Sequence, residues 1–118
     1  MPSSENHHKQ YQRNKQAIER MLSCSNPPYD WVVVAAFYAA LQLVDMTIAN
    51  NSILKPPDGH KMRNKYVGTV STLKPIRSPY LSLQTDSEQV RYKCIEFNEF
   101  AARSSLAKLE QIERTILV

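Results

Sequence analysis

The stretch from Trp31 to Ala49 constrains the fold of this chain more than any other part of the sequence. It reads WVVVAAFYAALQLVDMTIA, and its strongly polar residues are Gln42, Asp45 and Thr47. A helix of this composition is apolar around nearly its whole circumference, which is typical of a helix buried on all sides. Its length would permit a membrane span. An amide and a carboxylate inside the stretch and the lack of basic flanks favour instead the central core helix of a soluble bundle, without a membrane partner.

The residues on either side of this stretch predict where the helix begins and ends. Asp30 is predicted as the N-cap, because its carboxylate could accept a hydrogen bond from a free backbone N–H of the first turn. Asn50 and Asn51 follow the stretch, and asparagine tolerates the left-handed conformation that closes many helices. We therefore expect a left-handed C-terminal end at these two residues.

Length and composition predict one all-α domain over residues 1–118. The chain has 118 residues and only two glycines, and a chain of this size can bury one core without a metal or a disulfide. Cys24 and Cys94 lack the spacing of metal ligands and are predicted to be free thiols. The polar N-terminus lacks an apolar signal core, which predicts a cytoplasmic location. No cofactor and no metal site are expected.

Further helices are predicted on both sides of the apolar stretch. The first runs from about Glu5 to Leu22, with Ser3 or Ser4 as its N-cap. A proline-rich loop over residues 51–59 precedes a third helix that opens at His60. The expected architecture is an up-and-down bundle of four or five helices around a buried central helix.

The C-terminal third contains two prolines and a long apolar pattern. Pro75 and Pro79 are predicted to break one piece into a short helix or turns. The segment from Thr85 to Glu88 is predicted to start a new helix. From there to about Leu117 the pattern fits either one helix of about 30 residues or two helices with a bend. Its apolar stripe comprises Val90, Cys94, Phe97, Phe100, Ala101, Leu109, Ile112 and Ile116.

Several motifs in the middle of the chain resemble those of a known superfamily. They are Tyr29-Asp30-Trp31, the run from Ala36 to Asp45 (AFYAALQLVD), the proline-rich loop that ends in His60, Arg63 three residues later, and Tyr80, Leu83 and Arg91-Tyr92. Together they resemble the HEPN superfamily, whose name stands for higher eukaryotes and prokaryotes nucleotide-binding. The resemblance implies a helical bundle that usually pairs into a homodimer. It also implies a prokaryotic defence setting, in toxin-antitoxin or CRISPR-associated systems, where some members cleave RNA and degenerate members bind or scaffold.

The RNA-cleaving motif of that superfamily is incomplete in this chain. Nuclease members carry an arginine, a polar residue and, about four to six positions after the arginine, a histidine; two copies meet across the dimer in a metal-independent site. Arg13-Asn14 begins like this motif, but no histidine follows within reach. Gln42 stands where similar relatives often have histidine, and an amide cannot shuttle protons. The chain is therefore predicted to be an accessory module that binds RNA or a partner protein.

His60 and Arg63 are the candidate catalytic residues of an alternative function, a metal-independent endoribonuclease. Positions three apart on a helix share a face, so the two side chains could converge on one phosphate. Imidazole suits the removal of a ribose 2′-hydroxyl proton, and guanidinium suits the charge that develops on phosphorus. In the competing interpretation His60 caps the helix or closes the loop, and Arg63 is solvated or pairs with Asp45, for which Arg91 is the other candidate partner.

Six basic residues are the candidate nucleic-acid-binding positions. They are Arg13, Lys15, Lys61, Lys65, Lys74 and Arg77. Together they could neutralise an RNA backbone, with Tyr66 or Tyr80 close enough to stack on a base. The alternative is that the charges are ordinary solvated faces and that the tyrosines pack in the core. A third possible function is a protein-binding structural subunit of a larger complex, which would offer the apolar side of the last helix to its partner.

Overall fold

The computed structural model describes residues 2–117, which form five α-helices and one short 3-10 helix, with no strand among them. The elements are α1 (Ser4–Leu22), α2 (Tyr29–Ala49), α3 (Gly59–Thr69), the 3-10 turn (Lys74–Ile76), α4 (Arg77–Lys93) and α5 (Glu99–Ile116). The predicted all-α class is confirmed, with five helices in the bundle.

Helix α2 is the centre of the bundle, because it packs against α1, α3, α4 and α5. Phe37, Leu43 and Val44 of α2 are fully buried. The helix is long and apolar enough to cross a membrane, but 67% of that apolar span is buried inside the protein. This is the environment that the core helix of a soluble bundle requires.

One stripe of α2 is only partly buried, so the prediction of a helix buried on all sides is wrong along this face. The stripe is formed by Trp31, Ala35, Tyr38 and Gln42. These residues are spaced by three or four positions and therefore share one face of the helix. Trp31 is 61% exposed.

Both ends of α2 differ from the prediction. Pro28 occupies the N-cap position, and Asp30 is the second residue of the helix. The carboxylate of Asp30 instead accepts a hydrogen bond from the backbone N–H of Phe97, at 2.6 Å, and so joins the start of α2 to the connector that precedes α5. Asn50 has a φ of −75° and is right-handed, so α2 ends without a left-handed residue. The predicted cap of α1 is confirmed, since the Ser3 side chain accepts from the backbone N–H of Asn6.

Helix α4 is continuous across the segment that was predicted to start a new helix. Thr85 to Glu88 lie in the middle of α4, where the Thr85 hydroxyl donates to the carbonyl of Leu81 and Ser87 is buried. Pro79 is the third residue of α4, and a helix tolerates proline in its first turn because the N–H groups there have no partner within the helix. Pro79 therefore marks the beginning of α4 and does not break it, whereas Pro75 lies in the short 3-10 helix, in agreement with the predicted short helix or turns.

The last third of the chain contains two helices, as one of the two alternatives predicted. Cys94 ends α4 in the left-handed conformation, with a φ of 54°. Asn98 then caps α5 by accepting from the backbone N–H of Ala101. Because the chain changes direction between the helices, the predicted apolar stripe is not continuous: Ile112 is buried, while Phe100 is 83% exposed.

The central position of α2 predicts that its core side chains dominate stability. Leu43 is fully buried, so Leu43→Ala leaves a cavity and is expected to lower the free energy of unfolding by about 2–5 kcal/mol. Ile53→Ala is the matched control, because Ile53 is 88% exposed and its change should stay within about 0.5 kcal/mol. Urea unfolding followed by circular dichroism measures both variants. Equal losses for the two would contradict the central role of α2.

Candidate functional site

The segment from Gly59 to Thr85 carries five basic residues and one histidine but no aspartate or glutamate. It forms α3, the 3-10 turn and the first half of α4, and α3 packs against both of the others. The basic residues of this segment are Lys61, Arg63, Lys65, Lys74 and Arg77. All of them except Arg63 are exposed. The fold therefore gathers positive charge on one side of the bundle.

Arg77 connects α3 to the start of α4 on this side. Its side chain lies over Gly68, where its Nε would be 3.4 Å from an added Cβ, so the absence of a side chain at Gly68 permits the close approach. Lys61, Lys65 and Gly68 are spaced by four and three residues and share one face of α3. Lys61, Lys65 and Arg77, with Lys74 from the adjoining turn, are called the basic ridge below.

The four cations of the basic ridge are not neutralised within the described chain. Among residues 2–117, no carboxylate lies within 4.0 Å of any of these four side chains. Their positive charge is therefore available to an external anion.

The two predicted basic positions on α1 are not part of the basic ridge, since α1 does not pack against α3 within residues 2–117. Lys15 forms an ion pair with Glu113 of α5 at 2.9 Å. Arg13 donates to the side chain of Gln10 and borders a polar cavity of about 550 Å³ between α1 and α2, which is also lined by His7 and Gln42. A single groove containing all six predicted positions is therefore not formed.

Gln42 of α2 forms a hydrogen bond with a histidine of α1. The Oε1 atom of Gln42 is hydrogen-bonded to Nδ1 of His7 at 2.7 Å. His7 is half-buried, and this bond joins α1 to the partly buried stripe of α2. The pair is separated by 35 residues, so local pattern alone could not reveal it.

The two candidate stacking tyrosines are both used inside the protein. Tyr80 is fully buried, and this burial raises the pKa of its hydroxyl. The hydroxyl of Tyr66 donates to the backbone carbonyl of Lys55 at 2.9 Å, and the residue is half-buried. The interpretation of Tyr80 as a core residue is confirmed.

Arg63 pairs with Asp45, as one interpretation of the sequence predicted. Nε of Arg63 donates to Oδ1 of Asp45 at 2.7 Å, and Nη2 donates to Oδ2 at 3.1 Å. The two side chains are 11% and 9% exposed. A two-pronged bond of this kind compensates the cost of removing both charges from water. It also attaches α3 to α2.

His60 lies in the first turn of α3, one turn before Arg63. Its ring packs against Phe37 of α2, with 5.9 Å between the ring centroids. His60 is exposed, but partial desolvation of its ring lowers its pKa, and the positive charges of Arg63 and Arg91 lower it further, although Glu88 and Asp45 act in the opposite direction. A lowered pKa favours the neutral imidazole, which is the form that can accept a proton.

Arg91 of α4 lies near enough to His60 for its charge to lower the pKa of the imidazole. The sequence indicated Arg91 as one of the HEPN-like motif residues and as a possible partner for Asp45, but not as a site residue. Its Nη1 donates to the hydroxyl of Tyr38 at 2.7 Å. The central carbon of its guanidinium lies 5.4 Å from the ring centroid of Tyr38 and 4.7 Å from that of Tyr92. Its Nε is buried without an acceptor, and within residues 2–117 no carboxylate lies within 4.0 Å.

No group of three or more histidine, cysteine, aspartate and glutamate side chains within residues 2–117 is placed to hold one metal ion. Comparisons with protein-family models, with curated proteins and with solved structures give no match to this chain. The resemblance to HEPN proteins therefore remains a prediction from the motifs quoted above.

The pair between Arg63 and Asp45 predicts a large loss of stability when one partner is removed. Arg63→Met leaves a carboxylate buried without a cation and is expected to lower the free energy of unfolding by about 3 kcal/mol. The double variant with Asp45→Leu should recover most of this loss. Arg77→Met is the control, because Arg77 is exposed and its change should stay within about 0.5 kcal/mol. Equal effects of Arg63→Met and Arg77→Met in urea unfolding would show that the pair does not stabilise the fold.

The lowered pKa of His60 predicts a specific pH dependence of stability. As the pH falls, the imidazole of His60 becomes protonated in the unfolded chain before it does so in the folded protein. The free energy of unfolding therefore decreases as the pH falls through about 6.5, and it stops decreasing on this account below the lowered pKa of the folded protein. His60→Asn should make the decrease smaller, whereas His8→Asn serves as the control for loss of a histidine. Urea unfolding between about pH 7.5 and pH 5 measures the difference. An unchanged pH profile in His60→Asn would contradict the lowered pKa.

Proposed function

We propose that this chain is a HEPN-like accessory module that binds RNA through the basic ridge. The observation that carries the proposal is the ridge itself, in which four exposed cations project from a segment without a single acidic residue. Cations placed along a phosphate backbone release its condensed counterions, which is the main source of sequence-independent affinity for nucleic acids. The ridge contains no exposed aromatic residue, so it would contact the backbone of RNA and leave the bases to other residues.

An RNA partner fits this surface better than a protein partner fits the last helix. Most of the apolar side of α5 is occupied within the bundle, since Leu109 and Ile112 are buried and α5 packs against α2 and α4. Of the predicted stripe residues on α5 only Phe100 is exposed, so a partner that used more of this side would require the protein to expose its core.

The biological setting is part of the same proposal and rests on the motifs that resemble HEPN proteins. We place the chain in prokaryotic defence, in a toxin-antitoxin or CRISPR-associated system, in the cytoplasm and as a homodimer or bound to a protein partner. The observed bundle of five helices agrees with this resemblance.

The ridge predicts salt-dependent binding that specific lysines control. Lys61→Gln combined with Lys65→Gln should lower the slope of log affinity against log salt by about 1.4, because each lost contact with single-stranded RNA removes about 0.7. The measurement is fluorescence anisotropy of a labelled single-stranded RNA at salt concentrations from about 50 to 200 mM.

The control for this experiment is a double variant with the same loss of charge elsewhere. Arg20→Gln and Arg114→Gln remove two exposed cations from α1 and α5, and they should leave the slope nearly unchanged. If both double variants reduce the slope equally, the binding follows net charge and the ridge is not the RNA site.

A metal-independent endoribonuclease that uses His60 and Arg63 is the second candidate function. The observation that favours it is an imidazole near enough to the guanidinium groups of Arg63 and Arg91 for their charges to lower its pKa. His60 would take the proton from the ribose 2′-hydroxyl, the 2′-oxygen would bond to phosphorus, and the bond to the 5′-oxygen would break. The leaving 5′-oxygen would take a proton from solvent, and Arg63 or Arg91 would stabilise the charge on phosphorus.

An RNA-cleavage assay in EDTA tests this second function. If the reaction occurs, the wild type is expected to give products ending in a 2′,3′-cyclic phosphate, and His60→Ala should abolish them because the proton acceptor is lost. His8→Ala is the matched control and should cleave like the wild type. If the wild type leaves end-labelled RNAs intact, or if His60→Ala cleaves as well as the wild type, this candidate is wrong.

A further inference from the structure

The two arginines nearest His60 differ in how their charge is compensated. Arg63 has a carboxylate partner in Asp45. Arg91 is half-buried and has only the neutral hydroxyl of Tyr38 as a hydrogen-bond acceptor within residues 2–117. A guanidinium cannot be deprotonated at ordinary pH, and a positive charge removed from water without an anion is costly.

Two aromatic rings hold Arg91 in place but do not neutralise it. The guanidinium lies over the rings of both Tyr38 and Tyr92, and cation–π contacts of this kind contribute about 0.5–2 kcal/mol. The arrangement orders the planar group, while within residues 2–117 Nη1 is the nitrogen that has a hydrogen-bond acceptor and the buried Nε has none. An ordered guanidinium with free donors matches the geometry of an oxyanion such as phosphate.

We infer that Arg91, and not Arg63, receives the phosphate group of a bound RNA nucleotide, with His60 beside it and Tyr92 as the surface on which the base stacks. This inference rests on the proposed function, because it takes RNA as the ligand that supplies the phosphate. The inference adds a base-contacting site on α4 that the basic ridge lacks.

Tyr92 has the exposure that such a role requires. It is 69% exposed, and the guanidinium of Arg91 covers its ring at 4.7 Å. A base could therefore stack on the ring from the solvent side, next to the phosphate held by Arg91. Stacking of this kind is worth about 1–3 kcal/mol per base and tolerates any base.

Glu88 is the acidic residue that bears most directly on this site. It lies three residues before Arg91 on α4, is exposed, and is close enough for its charge to raise the pKa of His60. It does not come within 4.0 Å of a cation in the described chain. A carboxylate in this position would repel an incoming phosphate, so Glu88→Gln is expected to tighten binding.

The test uses the full chain and the dinucleotide UpU, which contains one phosphodiester and two bases. Binding is followed by nuclear magnetic resonance of the labelled protein, including the arginine Nε–Hε signals. Arg91→Gln is expected to weaken UpU binding by at least about tenfold, and Tyr92→Ala by at least about fivefold. Lys93→Gln is the matched control, because it removes an exposed cation two residues from Arg91, and it should change the affinity by less than about twofold.

Two further arms separate the roles of charge, shape and base. Arg91→Lys keeps the charge but loses the planar donors, so its affinity should fall between those of the wild type and Arg91→Gln. Inorganic phosphate and uridine, tested separately, should each bind more weakly than UpU. Thermal unfolding of every variant identifies any that has lost its fold, and the exposed Tyr92→Ala keeps the test decisive if Arg91→Gln does not fold.

The outcomes distinguish this inference from the proposed function. The inference is wrong if UpU binds and Arg91→Gln has the same small effect on affinity as Lys93→Gln. It is also wrong if UpU leaves the Arg91 signal unmoved while longer RNA binds through the basic ridge. In both cases the proposed function stands. If UpU binds at Arg91 but the ridge variants leave the affinity for longer RNA unchanged, the site stands and the ridge does not. If neither ligand binds, both are wrong.

Discussion

The burial of α2 is the constraint on which the rest of this structure depends. A helix this apolar must be covered, and α1, α4 and α5 cover most of its circumference while α3 packs on its C-terminal half. The stripe that they leave partly exposed carries Tyr38 and Gln42. Tyr38 has a polar partner in Arg91 of α4, and Gln42 has one in His7 of α1. The same helix that forms the core therefore also positions the polar groups at the surface.

The pair between Asp45 and Arg63 connects the core to the candidate site. It fixes α3 against α2, which places His60 on Phe37 and turns Lys61 towards solvent. Arg63, which the sequence offered either as a catalytic residue or as the partner of Asp45, forms that pair, while within residues 2–117 Arg91 has no carboxylate partner. Arg63 has a structural role because it reaches the buried carboxylate of Asp45, and Arg91 does not reach it.

The all-α class, the Ser3 cap and the pair between Asp45 and Arg63 could be predicted from sequence, because they follow from composition, from local chemistry and from the need of a buried carboxylate for a cation. Two of the errors concern partners that are distant in sequence. Asp30 was predicted as a cap, but it binds a backbone N–H 67 residues away. Arg91 was missed as a site residue because its partner Tyr38 is 53 residues away. Local pattern shows which groups need partners and does not show which partners the packing brings near.

Photo-crosslinking to a single-stranded RNA that contains 4-thiouridine is the most direct test of the central claim, since it locates the RNA on the protein without any substitution. Crosslinked peptides identified by mass spectrometry are predicted to come from residues 59–77, which contain the basic ridge, and from the end of α4. Crosslinks confined to α1 or α5, or the absence of crosslinks at low salt, would contradict the account.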